Sequence, residues 1–169
     1  IDQYLGMAEA IKKKYPDTVF RILGFCEDDD SKPDSYRNKI RTLEEKGIVS
    51  FEGMQEDVHP FLKNSQCTVH PSFYPEGMSN VCLESAASGR PVITTKRAGC
   101  RDTVEDGVTG FLVEERNTED LIRTVEQFLQ MPYEKRKEMG IKARQKMERE
   151  FDRRIVVEKY KQTLQEILG

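Results

Sequence analysis

Two carboxylates near the middle of the chain are the side chains best suited to chemistry. Glu76 and Glu84 lie eight positions apart, with Gly77 and a Ser79-Asn80 pair between them. A glycosidase-like acid and base pair needs carboxyl groups about 5–5.5 Å apart for retention, or about 6.5–9.5 Å for inversion. Eight helical residues rise about 12 Å. The two glutamates are therefore expected to contact different parts of one elongated ligand.

A helix is predicted to begin between these two residues and to run from about Asn80 to Ala87. Ser79 or Asn80 is a favourable N-cap. The amides of residues 78 to 81 would then point into the adjoining crevice, where the positive end of the helix favours an anion such as a phosphate. Gly77 allows the backbone to approach that anion closely.

The two glutamates would lie on either side of this anion. Glu84, about one turn into the helix, can accept hydrogen bonds from two neighbouring hydroxyls such as a ribose diol. Glu76, which precedes the cap, would lie on the other side of the phosphates. A nucleotide sugar has this order of groups: sugar, diphosphate, ribose and base.

The same segment resembles a known family. It contains Pro-Ser-x3-Glu-Gly-Met-Ser-Asn-x3-Glu from Pro71 to Glu84, followed by Ala-Ala-Ser-Gly-x-Pro-Val-Ile up to Ile93. This pattern is similar to that of the retaining glycosyltransferases of family 4, in the nucleotide-binding C-terminal half of their two-lobed GT-B fold. The similarity covers nearly the whole chain, continuing through Ala98-Gly99, Glu105-Asp106-Gly107, Gly110 to Val113 and Asp120-Leu121.

The resemblance implies a role for each matching residue. Glu76 would be catalytic, holding hydroxyls of the transferred sugar and helping to stabilise charge at the anomeric centre. Glu84 would bind the ribose, and the loop at Gly53 and Met54 would lie beside the base. The backbone that would hold the diphosphate or the sugar is formed by Gly77, Met78, Ser79, Asn80 and Val81.

The resemblance also implies the reaction and its partners. The full enzyme would be a hexosyltransferase that transfers a sugar from a UDP- or GDP-sugar to a saccharide or lipid-linked saccharide, in polysaccharide or glycolipid biosynthesis. No cofactor and no metal are expected, because amides and basic side chains neutralise the leaving diphosphate. The expected location is the cytoplasm, with a peripheral position at the inner membrane face. The alternatives are a non-catalytic nucleotide-sugar-binding module and a structural α/β domain without a ligand.

Two departures from the family pattern bear on these expectations. The family usually has Gly-Gly followed three residues later by Glu, whereas this chain has the run from Ala98 to Asp102. The family's phosphate-binding Arg and Lys, and its acceptor-binding N-terminal lobe, precede the position of Ile1. Residues 1–169 are therefore expected to form a single C-terminal donor-binding domain that lacks this lobe and its own first strand, and that is inactive alone.

The elements that position these residues alternate between strand and helix. This order predicts an α/β fold, with a Rossmann-like parallel sheet flanked by helices. In such sheets ligands bind at the carboxyl ends of the strands, here the loops 24–33, 53–55, 71–79 and 95–100. The predicted strands span residues 18–23, 48–52, 67–70, 91–95 and 110–113.

Composition excludes several other classes of protein. With 27 basic and 30 acidic residues the net charge is -3, which argues against general nucleic-acid binding. No apolar run approaches the ~18 residues of a membrane-spanning helix. Basic residues after Tyr133 alternate with glutamates, which favours a salt-bridged, solvated helix.

Possible metal sites are also disfavoured by the sequence. The four cysteines are spaced too widely for a Cys-x-x-Cys clip, and each adjoins an apolar segment, so small buried side chains in a reducing cytosol are expected. Only two histidines are present, and His70 is interpreted as a partly buried residue at a strand end. Asp28-Asp29-Asp30 is interpreted as a solvated loop rather than a magnesium site.

Overall fold

A computed structural model of the protein describes residues 1–26, 35–75 and 77–168. The predictions for Asp28-Asp29-Asp30 and for the position of Glu76 lie outside these residues. Within the described part, strands and helices alternate in the order α1 Asp2–Lys14, β1 Arg21–Leu23, α2 Tyr36–Glu45, β2 Ser50–Gly53, α3 His59–Lys63, β3 Thr68–His70, α4 Asn80–Ala87, β4 Val92–Thr95, β5 Gly110–Val113, α5 Thr118–Gln130, α6 Tyr133–Glu150 and α7 Arg153–Leu168.

All the described strand pairs are parallel, so the predicted α/β class is confirmed. The strands form two sheets, one of β1 and β2 and one in the order β3-β4-β5. The first strand is shorter than predicted. Its ladder covers only Arg21–Leu23, although the carbonyl of Phe20 still accepts a hydrogen bond from the Ser50 amide at 2.8 Å.

One side chain of α1 is bonded to the backbone of the first strand. The Tyr4 hydroxyl donates a hydrogen bond of 2.9 Å to the carbonyl of Arg21 in β1. Burial, and to a smaller extent the neighbouring Cys67 thiol, raises the pKa of Tyr4. Tyr4 therefore joins α1 to β1 and lies near the residue that precedes β3.

Two apolar cores hold the elements in place. The larger joins α1, both sheets and α5, with Met7, Ile11, Ile93 and Phe128 fully buried. The smaller joins α4, β4 and α6 around Cys82, Ala86, Val92, Cys100, Ala143 and Met147. In this second core α6 approaches the end of α4 so closely that a Cβ at Gly140 would lie 2.2 Å from the Gly89 carbonyl oxygen. Helix α4 is thus fixed against both the sheet and α6.

Among the C-terminal helices, α6 is the salt-bridged helix that the sequence predicts after Tyr133. Asn117 caps α5 by accepting a hydrogen bond of 3.0 Å from the Asp120 amide. Ion pairs at helical spacing, such as Lys142 with Glu138 and Arg144 with Glu148, run along α6. Helix α7 has no buried residue and exposes Ile155, Val156, Val157, Tyr160, Leu164, Ile167 and Leu168. Among the described helices, none combines the length and the apolar character needed to cross a membrane.

Candidate functional site

The loops that follow β3 and β4 are tied together at the carboxyl edge of the sheet. Thr94 and Thr95 end β4, and their hydroxyls donate to the carbonyls of His70 (2.8 Å) and Ser72 (2.5 Å). The Ser79 amide donates to the Gly99 carbonyl at 3.2 Å. These bonds hold the segment that leads into α4 in one position.

Helix α4 begins at this edge, as the sequence predicts, with Ser79 as its N-cap. The first bond within the helix runs from the Leu83 amide to the Ser79 carbonyl, at 3.0 Å. The amides of Asn80, Val81 and Cys82 therefore have no carbonyl partner upstream in the helix. One expectation is corrected here: the Ser79 amide is bound to Gly99 and is not directed at a ligand.

The outer face of α4 presents polar groups next to this helix end. Asn80 and Glu84 are both exposed and lie one turn apart, on the face opposite Cys82, Ser85 and Ala86. Among the described residues, no hydrogen bond or ion pair engages the Glu84 carboxylate. Its two oxygens are therefore available to hydroxyl groups of a ligand bound along this face.

The remaining predicted site residues lie on both sides of Ser79 and at the end of β2. Gly77, Met78 and Val81 are exposed beside the start of α4. Gly53 ends β2 with φ 68° and accepts a hydrogen bond of 2.9 Å from the Gly24 amide, and Met54 is 76% exposed.

Two grooves lie at opposite edges of the sheets. One, of about 370 Å³, is at the carboxyl end of β1 and is lined by Ile22, Leu23, Gly24, Phe25 and Phe51 among others. The other, of about 400 Å³, lies next to Pro91 at the start of β4 and includes Arg90, Arg136, Lys137 and Arg144. Only the first is on the same edge as Gly53 and the start of α4.

Basic side chains near this edge are engaged with protein groups. Lys96 pairs with Glu114, and the Arg97 guanidinium lies 3.6 Å from the Glu115 carboxylate. The Arg116 guanidinium lies 4.5 Å from the centre of the Phe73 ring. These contacts reduce the positive charge that the three side chains can offer to a diphosphate.

The shorter acid at position 102, a departure from the family pattern, has a local role. The Asp102 carboxylate accepts a hydrogen bond of 3.0 Å from the Gly99 amide. Since the Gly99 carbonyl accepts the bond from Ser79, Asp102 supports the loop that holds the start of α4.

A cluster of His70, Cys82 and Cys100 lies directly beneath the start of α4. One potential ligand atom from each residue lies within 4.8 Å of the others. The pKa of Cys82 is lowered to about 6, chiefly by the hydrogen bond with Cys100 and to a smaller extent by Ser79, His70 and Thr94, against the opposing effect of burial. By contrast, burial raises the pKa of Cys67 to about 12.

The cluster partly agrees with the sequence analysis. Cys82 and Cys100 are buried and His70 is a partly buried strand end, as expected. Their proximity was missed, because the three residues come from β3, α4 and the loop after β4 and have no short motif in common.

Comparison with known proteins gives consistent results. Residues 1–146 match the family model described as "Glycosyl transferases group 1". The lipopolysaccharide core biosynthesis glycosyltransferase LpsE of Rhizobium meliloti is 32% identical over 123 residues, which cover 73% of this chain and 34% of LpsE. An uncharacterised glycosyltransferase of Haemophilus influenzae is 27% identical over 132 residues, 78% of this chain and 36% of that protein. The chain thus spans about a third of the length of these relatives.

Solved structures share the fold. The Anabaena protein Alr3699/HepE in complex with UDP superposes with a TM-score of 0.81 at 21% identity, over 95% of this chain and 44% of that one. The C-terminal domain of the group 1 family protein LpcC from Francisella tularensis gives a TM-score of 0.75 at 19% identity, over 89% of this chain and 78% of that one.

Proposed function

The chain belongs to the group 1 glycosyl transferases, and we propose that it forms the donor-binding lobe of an enzyme that moves a sugar from a nucleotide sugar to a hydroxyl acceptor. The observation that carries this proposal is the start of α4. It lies at the carboxyl edge of a parallel sheet, with Ser79 as N-cap and an exposed Glu84 one turn into the helix.

The donor diphosphate binds at this helix end in our proposal. The amides of Asn80 and Val81 lack partners in the helix, and the helix dipole adds partial positive charge. The hydrogen bonds of Ser79 to Gly99 and of Thr95 to Ser72 hold the surrounding backbone in position before the ligand arrives. Dipoles fixed in advance stabilise a leaving diphosphate without a metal ion, so we propose a metal-free reaction.

The rest of the donor extends to either side of the diphosphate. Glu84 binds the ribose hydroxyls, and the base lies near Gly53, Met54 and the groove at the end of β1. The sugar lies towards Glu76, which holds its hydroxyls and stabilises charge at the anomeric carbon. UDP, the ligand of the Anabaena protein, makes UDP-sugars the first donors to test, with GDP-sugars second.

The finer features of the enzyme are proposals of the same kind. We place the chain in family 4, with retention at the anomeric centre and transfer of a hexose. LpsE acts in lipopolysaccharide core biosynthesis, which supports a saccharide or lipid-linked acceptor and a role in polysaccharide or glycolipid synthesis. The reaction would then take place in the cytoplasm, at the inner face of the membrane.

The full-length protein would supply what the described fold does not contain. An N-terminal lobe would bind the acceptor, and a strand upstream of Ile1 would lie between β1 and β3. The separation of the described strands into two sheets, with β1 and β3 unpaired to each other, supports this proposal. Residues 1–169 alone would bind a nucleotide weakly and transfer no sugar, because transfer requires both substrates in one site.

Replacement of Glu76 by Gln in the full-length protein tests the enzymatic proposal. Turnover with the native donor should fall by orders of magnitude, because the substitution removes charge stabilisation in the transition state. The Tm of the protein should stay nearly unchanged. Glu105→Gln, an exposed carboxylate before β5, is the matched control and should keep its turnover. Wild-type turnover in Glu76→Gln would remove Glu76 from the catalytic assignment, whereas binding of the nucleotide sugar without turnover in the parent would favour the alternative, a nucleotide-sugar-binding module without catalysis.

A further inference from the structure

Two thiols and an imidazole converge beneath the start of α4. His70 ends β3, Cys82 lies in the first turn of α4, and Cys100 precedes the short 3₁₀ turn at Arg101–Thr103. One potential ligand atom from each lies within 4.8 Å of the other two. In a tetrahedral zinc site neighbouring ligand atoms are about 3.4–3.8 Å apart, so a small inward movement would bring all three into coordination distance.

The backbone around the cluster is already fixed. The His70 carbonyl accepts a hydrogen bond of 2.8 Å from the Thr94 hydroxyl, and the Cys82 sulfur lies 3.9 Å from the same hydroxyl. The Cys100 carbonyl accepts a bond of 2.6 Å from the Thr103 hydroxyl. These two bonds to carbonyls hold the backbone from which the His70 and Cys100 side chains project.

A fourth polar group lies at the same place. The Ser79 side chain is 1% exposed, and within the described part of the chain its hydroxyl forms no hydrogen bond. The Ser79 side chain also helps to lower the pKa of the Cys82 thiol. A buried oxygen without a partner is costly, and a bound cation would compensate it either directly or through a coordinated water.

We propose that His70, Cys82 and Cys100 bind one zinc ion. The Ser79 hydroxyl, directly or through a coordinated water, completes a tetrahedral site. Zinc binds two thiolates and an imidazole more strongly than a harder cation such as magnesium does. On binding, the two thiols release their protons, and the imidazole donates its lone pair in the neutral form. The two thiolate charges then balance the charge of the ion.

The zinc ion would join the loops after β3 and β4 to the first turn of α4. It would act on the position of Ser79, the N-cap of the proposed donor site, and would take no part in sugar transfer. This inference does not depend on the proposed function, because its test uses only metal ions and the 169-residue chain.

The test is a titration of the reduced, metal-free chain with Zn²⁺ in competition with a chromophoric chelator. We expect binding of one equivalent. Cys82→Ser and Cys100→Ser should each weaken binding by at least about 100-fold, the upper end of the loss that outer-shell changes cause. Cys26→Ser, which changes a partly buried cysteine outside the cluster, is the matched control and should bind like the parent.

Co²⁺ provides a readout that needs no variant. With Co²⁺ in place of Zn²⁺, the parent chain should show thiolate-to-cobalt charge-transfer bands together with the visible bands of a tetrahedral site. A Co²⁺ spectrum without charge-transfer bands would overturn the proposal. So would zinc affinity that is unchanged in Cys82→Ser and Cys100→Ser.

Discussion

Glu84 is the residue on which recognition of the nucleoside depends in our account. Its carboxylate is exposed, lies one turn from Asn80 on the same face of α4, and has no hydrogen-bond partner among the described residues. Glu84→Ala should therefore weaken nucleotide binding by about 1–3 kcal/mol, the value of two lost hydrogen bonds to hydroxyls. Isothermal titration calorimetry with UDP would measure the loss.

A ligand without ribose hydroxyls separates this role from a general charge effect. With the 2′,3′-dideoxy analogue of UDP, Glu84→Ala and the parent should bind with nearly the same affinity. Glu119→Ala, an exposed carboxylate in the first turn of α5, is the matched control and should bind both ligands like the parent. Equal losses with UDP and its dideoxy analogue would contradict the ribose-binding role of Glu84.

At the scale of elements, the junction between β5 and α5 is held by one carboxylate. Asp120 accepts a hydrogen bond of 2.8 Å from the Glu114 amide just after β5, and another of 2.6 Å from Arg123. The bond from the Glu114 amide, more than the contact with Arg123, holds the pKa of Asp120 below its ordinary value despite partial burial.

This lowered pKa predicts a pH-dependent contribution to stability. A carboxyl whose pKa is lower in the folded state stabilises the fold above the pKa of the unfolded chain, about 4, and that stability is lost as the pH falls through the folded-state value. Asp120→Asn should therefore lower Tm at pH 7, and the difference from the parent should shrink below about pH 4. Asp17→Asn is the exposed control, and a Tm difference for Asp120→Asn that is independent of pH would contradict this account.

Local patterns account for most of what the sequence predicted at this scale. The start of α4 at Ser79 was predictable, because a helix start depends on a few neighbouring residues, although the Ser79 side chain forms no capping hydrogen bond. The bond of the Ser79 amide to Gly99 was not, since it joins segments whose distance only the folded sheet sets. The convergence of His70, Cys82 and Cys100 was missed for the same reason.

At the scale of the whole molecule, the division of the strands into two sheets has a functional consequence. Strands β1 and β3 lie at facing ends of the two sheets in our proposal, and the Tyr4 hydroxyl binds the Arg21 carbonyl of β1. The sequence predicted the class of sheet correctly, because alternation of strand and helix is local. The division itself depends on pairing between distant strands, and periodicity does not encode such pairing.

Extension of the chain upstream tests whether a strand belongs in this gap. About thirty residues, roughly the size of one βαβ unit, should restore the strand together with the family's basic pair. Diphosphate binding should then be tighter and more sensitive to salt, because salt screens the attraction between the added basic side chains and the diphosphate. Calorimetry with UDP at low and high salt would measure both effects.

The control for this experiment is the extended chain with its two upstream basic residues replaced by alanine, which should bind with the affinity and salt dependence of residues 1–169. An extended chain that binds UDP no better than residues 1–169 would contradict the proposal that two basic residues upstream of Ile1 bind the diphosphate. The extension should also reduce any self-association, since the open strand edges would be paired.

The central claim is that the start of α4 binds the diphosphate of a nucleotide sugar. Its most direct test is a ¹⁵N-edited NMR titration of the 169-residue chain with UDP-glucose and GDP-mannose, with inorganic phosphate as the control ligand. Our account predicts that the nucleotide sugars shift the amides of Asn80, Val81 and Gly53 at lower concentration than phosphate does. Shifts confined to the basic groove around Arg136 and Arg144, or no shifts with either nucleotide sugar, would contradict it.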